Sequence, residues 1–173
     1  MTVLTPGRFF LIESDDDDND DWITDHGGDP DLLDLSTFTL GIDYCYILMP
    51  LRWTQMGNTG IVVKPAGGGG SFDEREEKRW YITNLGGYVD SRTLANQFDQ
   101  FVMAPRHTSG SSATYKAYYL VIYFGVNDHI KFTDGSGTQQ SYCKGVVSPN
   151  FKITWIESKP PNARVNFTFK SVW

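Results

Sequence analysis

The clearest strand pattern in the chain lies in Phe38-Thr39-Leu40-Gly41-Ile42-Asp43-Tyr44-Cys45-Tyr46-Ile47-Leu48-Met49-Pro50. Its residues alternate between two faces, one carrying Phe38, Leu40, Ile42, Tyr44, Tyr46 and Leu48, the other Thr39, Gly41, Asp43 and Cys45. Alternation with a period of two is typical of a half-buried β-strand. Proline lacks the backbone N–H that a strand ladder uses, so Pro50 is expected to end the strand. We therefore predict a strand within residues 37–52.

Further short strands are predicted on both sides of this one. Residues 9–12 are an apolar run short enough for a strand buried on both faces, and residues 115–126 are rich in aromatic and β-branched side chains. The other candidates are residues 80–83, 130–133, 142–147, 151–156 and 165–172. Residues 91–102 have helical spacing, with Ser91 as the N-cap candidate. This rhythm predicts an all-β fold, an antiparallel sandwich or barrel in two parts, with at most one short helix.

A connector at residues 54–71 is the reason for expecting two parts. It contains the turn-like Gly57-Asn58-Thr59-Gly60 and four consecutive glycines, Gly67 to Gly70. Because a glycine tract loses much backbone entropy when it becomes ordered, we expect a flexible hinge here. A further turn is expected at residues 84–87, just before the predicted helix.

The charge of the chain is strongly asymmetric. The net charge is −6 over 173 residues, and twelve acidic side chains lie between Arg8 and Arg52 with no Lys or Arg among them. Most of these acids fall in residues 14–34, which are expected to form a solvated loop. Nucleic-acid binding depends on a stripe of Lys and Arg, and no such stripe is visible. We therefore expect no nucleic-acid binding through this chain.

The acidic loop is also the candidate for a metal site. Calcium prefers six to eight oxygen ligands and tolerates irregular loops, so Asp15, Asp17, Asp20 and Asp21 are the candidate ligands. The spacing is not that of an EF-hand, because the glycine at the sixth position and the closing glutamate are missing. A solubilising exposed loop is the alternative interpretation. No other cofactor is expected.

Several other classes of protein are excluded or disfavoured. No apolar run approaches the roughly 18–20 residues that span a bilayer, so no membrane insertion is expected. The two cysteines, Cys45 and Cys143, lie in apolar segments and are expected to be buried, reduced thiols. Asp128 and His129 would point to opposite faces of a strand, and the other acids suggest a solvated face rather than a paired site. We therefore expect that the protein is not an enzyme.

Two passages in the first third resemble a known family. Residues 3–12, the acidic loop and residues 38–50 resemble the end of the jelly-roll shell domain of small icosahedral RNA viruses. The order of terminal strand, Pro50, Gly-rich hinge and about a hundred β-rich residues is most similar to the capsid protein of shrimp-infecting nodaviruses. The resemblance is specific over residues 2–53 and only architectural afterwards. The basic arm and the earlier shell strands of that family are missing.

The resemblance implies a division and a function. Residues 1–53 would be the last strands of the shell domain, residues 54–71 the hinge and residues 72–173 a protruding β-domain. The protruding domain would form homodimeric spikes on an icosahedral virion and attach it to a host-cell receptor or glycan. Exposed polar loops are the candidates for this attachment: His107, Ser109, Ser111, Ser136, Thr138 and Gln139. The alternative function is a carbohydrate-binding, lectin-like β-sandwich, either with calcium held by the acidic loop or without it.

Overall fold

The computed structural model describes residues 4–14, 17–50, 54–64, 74–103, 106–107, 113–114, 117–148, 151–155 and 163–171. The strands are β1 (Arg8–Glu13), β2 (Tyr44–Leu48), β3 (Thr54–Lys64), β4 (Glu74–Val89), β5 (Arg106–His107), β6 (Ala113–Thr114), β7 (Tyr118–Gly125), β8 (Asp128–His129), β9 (Phe132–Thr133), β10 (Gln139–Gln140), β11 (Cys143–Val147), β12 (Lys152–Trp155) and β13 (Ala163–Ser171). The α-helices of the described residues are α1 (Asp17–His26) and α2 (Arg92–Met103), and 3-10 turns occupy Pro30–Leu32 and Leu35–Thr37.

Six of the strands form a closed antiparallel barrel. Their order is β1, β2, β4, β13, β11 and β7, and β7 pairs again with β1. The contact between β2 and β4 is a single registered pair, Leu48 opposite Tyr88, whereas β4 and β13 pair along eight residues. Strand β12 pairs with β13 on the same edge as β11, along a different part of that strand. The predicted all-β antiparallel fold is confirmed.

One face of every barrel strand contributes to a common core. The shared side chains are Phe9 and Leu11 of β1, Cys45 and Ile47 of β2, Leu85 and Val89 of β4, Leu120 and Ile122 of β7, Cys143 of β11, and Val165, Phe167 and Phe169 of β13. The helix α2 adds Leu94, Ala95, Phe98 and Phe101. The two cysteines are free and fully buried, as the sequence predicted, and burial raises the pKa of each thiol to about 12.

The opposite face of β1 and β7 is buried as well, beneath the acidic segment. Phe10, Ile12, Val121 and Tyr123 pack there with Trp22 and Leu33. Strand β1 is therefore buried on both faces, as expected from residues 9–12. The acidic segment was predicted as a loop, but residues 17–26 form helix α1. The burial of Trp22 explains the difference, because its indole packs against Tyr119 and Tyr142 and donates a hydrogen bond to the carbonyl oxygen of Asp29 (2.7 Å).

Strand β2 is shorter than predicted, and the face that packs into the barrel core is the one that carries Cys45, not the one that carries the tyrosines. It begins at Tyr44, and Cys45 and Ile47 are buried, while Tyr44 and Tyr46 are half-buried. The preceding residues form a turn in which the Asp43 carboxylate accepts a hydrogen bond from the backbone N–H of Thr39 (2.6 Å). Gly41 has a φ of +85°, which favours glycine and breaks the extended conformation. The Ile42 side chain, expected in the strand, is 55% exposed.

The predicted hinge contains a long strand. Strand β3 pairs with β4 over eleven registered positions, from Thr54 opposite Asn84 to Lys64 opposite Glu74. Residues 54–64 therefore continue the sheet instead of forming a connector, and residues 65–71, with the four glycines, lie outside the described residues. The turn predicted at residues 84–87 was also wrong, because β4 runs through it to Val89.

The predicted division at the hinge does not separate two cores. Strands β1 and β2 come from residues 1–53, yet β1 lies between β2 and β7 and contributes Phe9 and Leu11 to the same core as Phe167. Shell strands without the rest of their sheet would leave backbone N–H and C=O groups unpaired at their edges. Strand β1 instead pairs antiparallel with β2 on one edge and with β7 on the other, so these groups are satisfied.

In the described residues, neither helix is long and apolar enough to cross a membrane.

Candidate binding site

A groove lies between helix α2 and strand β12. Helix α2 begins where the Ser91 hydroxyl accepts a hydrogen bond from the backbone N–H of Leu94 (3.0 Å), which confirms the predicted N-cap. One side of the helix carries the core residues, and another carries Asn96, Asp99 and Met103 at positions i, i+3 and i+7. These three side chains are exposed and line one wall of the groove.

The other wall comes from alternate residues at and beside β12. Phe151, Ile153 and Trp155 have a spacing of two, so they lie on the same face of the extended chain. The ring of Phe151 packs edge-on against the buried Phe98 of α2, with 6.1 Å between the ring centroids. This contact fixes the base of the wall, while Trp155 at its end is 49% exposed. The groove has a volume of about 520 Å³.

The lining of the groove combines one exposed aromatic platform with a few polar groups. Asp99 supplies a carboxylate that accepts hydrogen bonds, and Asn96 supplies an amide that both donates and accepts. Trp155 and Met103, which is 63% exposed, supply apolar surface. Asp99 is the one carboxylate among the described lining residues. The arrangement is suited to holding a ligand with an apolar face and several hydroxyl groups.

The predicted recognition loop near residue 136 is exposed and internally hydrogen-bonded. It joins β9 to β10, whose register pairs Gln139 with Thr133. The Asp134 Oδ1 atom accepts hydrogen bonds from the backbone N–H groups of Ser136 (2.9 Å) and Thr138 (2.9 Å) and from the Ser136 hydroxyl (2.6 Å). The hydrogen bonds from Ser136, Gln140 and Thr138 lower the pKa of Asp134 to about 2.

The other candidate attachment residues are less fully described. His107 lies in β5, opposite Ala113 of β6, and Ser109 and Ser111 lie outside the described residues. The structure therefore brings Ser136, Thr138 and Gln139 together in one exposed loop. Attachment through this loop or through the segment around His107 remains a prediction.

The predicted calcium ligands fall in and before helix α1. Asp15 lies outside the described residues, Asp17 and Asp20 belong to α1, and Asp21 is exposed in the same helix. Within the part of the chain that the structure describes, no group of three or more His, Cys, Asp and Glu side chains is placed to hold a metal ion. Calcium binding by these residues stays a prediction.

A separate polar cluster joins the acidic segment to the barrel. The buried Tyr123 hydroxyl donates a hydrogen bond to Oδ1 of Asp31 (2.7 Å), and the backbone N–H of Asn127 donates to Oδ2 (2.7 Å). Burial acts to raise the pKa of Asp31, but these two bonds and the nearby His129 and Lys131 lower it below its ordinary value. Burial and the bond to Asp31 raise the pKa of Tyr123 to about 12.

His129 lies beside this cluster and hydrogen-bonds to Ser141. Its Nε2 atom lies 3.0 Å from the Ser141 hydroxyl, which also accepts a hydrogen bond from the Lys131 ammonium group (2.6 Å). Burial and then Lys131 lower the pKa of His129, against the opposing effect of Asp29, Asp31 and Asp128. Ser141 is buried. The two hydrogen bonds to Asp31 therefore hold β7 and the turn after it to the Asp29–Asp31 turn, and the Ser141 hydroxyl joins His129 to Lys131.

Comparison with known proteins gives no relative of this chain. No protein-family model, no curated protein and no solved structure matches it. The nodavirus resemblance therefore rests on the sequence passages alone.

The groove was missed by sequence reasoning, although its two walls carry recognisable signals. The helical spacing of Asn96, Asp99 and Met103 and the alternation of Phe151, Ile153 and Trp155 are visible in the chain. More than forty residues separate the two walls, and periodicity does not reveal which helix packs beside which strand. The tryptophan at the end of this alternating strand is the sequence signal that could have indicated a binding surface.

Proposed function

We propose that the protein is a non-enzymatic binding module that holds a carbohydrate in the groove between α2 and β12. The observation that carries this proposal is the exposed Trp155 ring opposite Asn96 and Asp99 in a groove of about 520 Å³. This volume lies within the range of small-ligand sites, which is about 300–1,000 Å³.

The chemistry of a pyranose ring matches this lining. One face of such a ring presents C–H groups that pack on an indole, and its hydroxyl groups donate to a carboxylate and exchange hydrogen bonds with an amide. Asp99 is exposed, so its carboxyl group is accessible to a ligand. The groove is open, which permits a sugar at the end or in the middle of a longer glycan.

Titration of the full chain with glycans selected on an array tests the proposal. Trp155→Ala should weaken binding at least tenfold because the stacking platform is lost, and Asp99→Asn should weaken it several-fold. Trp155→Tyr keeps an aromatic ring and should bind more tightly than the alanine variant. Phe124→Ala, which removes an exposed aromatic side chain elsewhere on the barrel, is the matched control and should bind like the wild type.

The role of calcium is tested in the same titration. A single carboxylate cannot supply the six to eight oxygen ligands of a calcium ion, so binding in this groove should persist in the presence of a chelator. Loss of binding with the chelator would favour the acidic segment around Asp21 instead. Absence of any glycan ligand, or binding that Trp155→Ala leaves unchanged, would contradict the proposal.

A second candidate is the viral capsid subunit that the resemblance implies. The observation that favours it is the pairing of β3 with β4 beyond the barrel, because open strand edges are a common means of assembly between chains. In this candidate the barrel would be a surface module that attaches a virion to a host glycan. Electron microscopy of the purified full chain tests it: closed shells would support a capsid subunit, and dispersed small species would count against one.

A further inference from the structure

The β3–β4 hairpin extends well past the barrel. Strand β13 pairs with β4 from Val89 back to Ile82, and β3 continues the pairing from Gly57 opposite Tyr81 to Lys64 opposite Glu74. We call these eight pairs, residues 57–64 with residues 74–81, the β-arm. At about 3.3 Å per residue the β-arm is about 26 Å long.

Both long edges of the β-arm are open in the described structure. Strand β3 is the last strand of the sheet path, and residues 74–81 of β4 pair with β3 alone among the described strands. A two-stranded hairpin is only marginally stable in water without a third strand or a packed face. An open edge also presents unpaired backbone N–H and C=O groups, which favour the addition of another strand.

The two edges of the β-arm differ in the charge of their residues. Residues 74–79 of β4 read Glu-Arg-Glu-Glu-Lys-Arg, and charged residues of this kind discourage edge-to-edge pairing. Residues 57–63 of β3 carry no charge and end in Ile61-Val62-Val63, three β-branched residues with high strand propensity. The β3 edge is therefore the receptive one.

We infer that the β3 edge pairs with the β3 edge of a second copy of the same chain. A strand that pairs with itself about a two-fold axis runs antiparallel to its copy. With the axis near Val62, residues 61–63 of one copy lie opposite residues 61–63 of the other, so β-branched residues face each other. The same register places Lys64 opposite Gly60 and keeps the two Lys64 charges apart. The homodimer is independent of the carbohydrate groove.

Sedimentation equilibrium of the full chain tests the dimer. We expect a mass of twice 19.5 kDa for the wild type and a loss of the dimer in Val62→Lys, which places a charge on the receptive edge. Glu76→Gln is the matched control, because Glu76 is the registered partner of Val62 and the substitution changes the net charge by the same amount. The control should remain a dimer.

Cysteine substitution provides a second test of the dimer, which remains usable if the Val62→Lys variant does not fold. Both native cysteines are buried, so a single substitution at Gly60, Ile61, Val62 or Val63 supplies the one thiol expected to form a disulfide between two copies. Oxidation should give a covalent dimer at the position on the axis and much less at its neighbours. A monomeric wild type at 100 μM (about 2 mg/ml), or a dimer that forms equally well in Val62→Lys and gives no cross-link at these positions, would overturn the proposal.

Discussion

Gly87 lies where β2 and β4 meet to close the barrel. A Cβ atom on this residue would collide with the carbonyl oxygen of Leu48 and press on the side chain of Ile47. The close approach of the two backbones therefore requires a residue without a side chain. The pairing of β2 with β4 rests on one registered position, so little structure is available to absorb a shift.

Replacing Gly87 with alanine should destabilise the protein by about 1–3 kcal/mol, as overpacking of a close backbone contact does. Chemical denaturation of the two proteins measures this difference. Gly125→Ala is the control, because its Cβ meets nothing within 4 Å and glycine-to-alanine changes in open positions are neutral or stabilising by about 0.4–1 kcal/mol. Equal stabilities for Gly87→Ala and the wild type would show that the barrel is not closed at this point.

The hydrogen bond from Tyr123 to Asp31 links stability to pH. The pKa of Asp31 is lowered in the folded protein from its ordinary value of 3.8, so the folded state favours the ionised form. The stability that this provides is present above about pH 4 and is lost as the pH falls through the lower folded value. Tyr123→Phe should raise the pKa of Asp31 and reduce the loss of stability at acid pH. NMR titration of the Asp31 carboxyl carbon measures this pKa. Tyr88→Phe, whose hydroxyl contacts Arg164 instead, should leave that pKa unchanged.

At the level of elements, helix α2 forms the first wall of the groove and depends on its N-cap. Ser91→Ala leaves the Leu94 N–H without its partner and should cost about 1 kcal/mol of stability. Ser91→Asp keeps an accepting oxygen at the cap and should retain most of the wild-type stability. Thermal unfolding of the three proteins provides the comparison. A Ser91→Ala variant as stable as the wild type would mean that the helix does not need the cap.

Local signals predicted some elements well. The Ser91 cap and the helical spacing after it located α2 to within one residue, and the apolar run at residues 9–12 correctly indicated a strand buried on both faces. The cap was predictable because its hydrogen bond joins residues three apart, and β1 was predictable because four consecutive apolar side chains must be covered on both faces, whichever elements cover them.

Elements whose form depends on distant contacts were not predictable in this way. Helix α1 follows a run of aspartates that resembles a solvated loop, and it is held by the packing of Trp22 against Tyr119 and Tyr142, about a hundred residues away. Strand β2 buries Cys45 and Ile47 instead of its tyrosines because of the barrel partners on either side. The groove likewise depends on α2 lying beside β12.

At the scale of the molecule, the long strands of the described residues are organised around one barrel, and this bears on every functional hypothesis. Strand β1 supplies Phe9 and Leu11 to the core and pairs with β7 over six residues. Without β1 and β2, the edges of β7 and β4 would open and the core would lose one side. The groove between α2 and β12 rests against this core through Phe98, so the proposed ligand binding should require both ends of the chain.

The single-barrel account is tested most directly by expressing residues 72–173 alone. Size-exclusion chromatography with light scattering and circular dichroism should show an unfolded or aggregating product, because this fragment lacks β1, β2 and β3. The full chain, measured in parallel, should be folded and rich in β-structure. A folded, β-rich fragment that unfolds cooperatively would contradict the account, and it would restore the protruding domain that the capsid resemblance predicts.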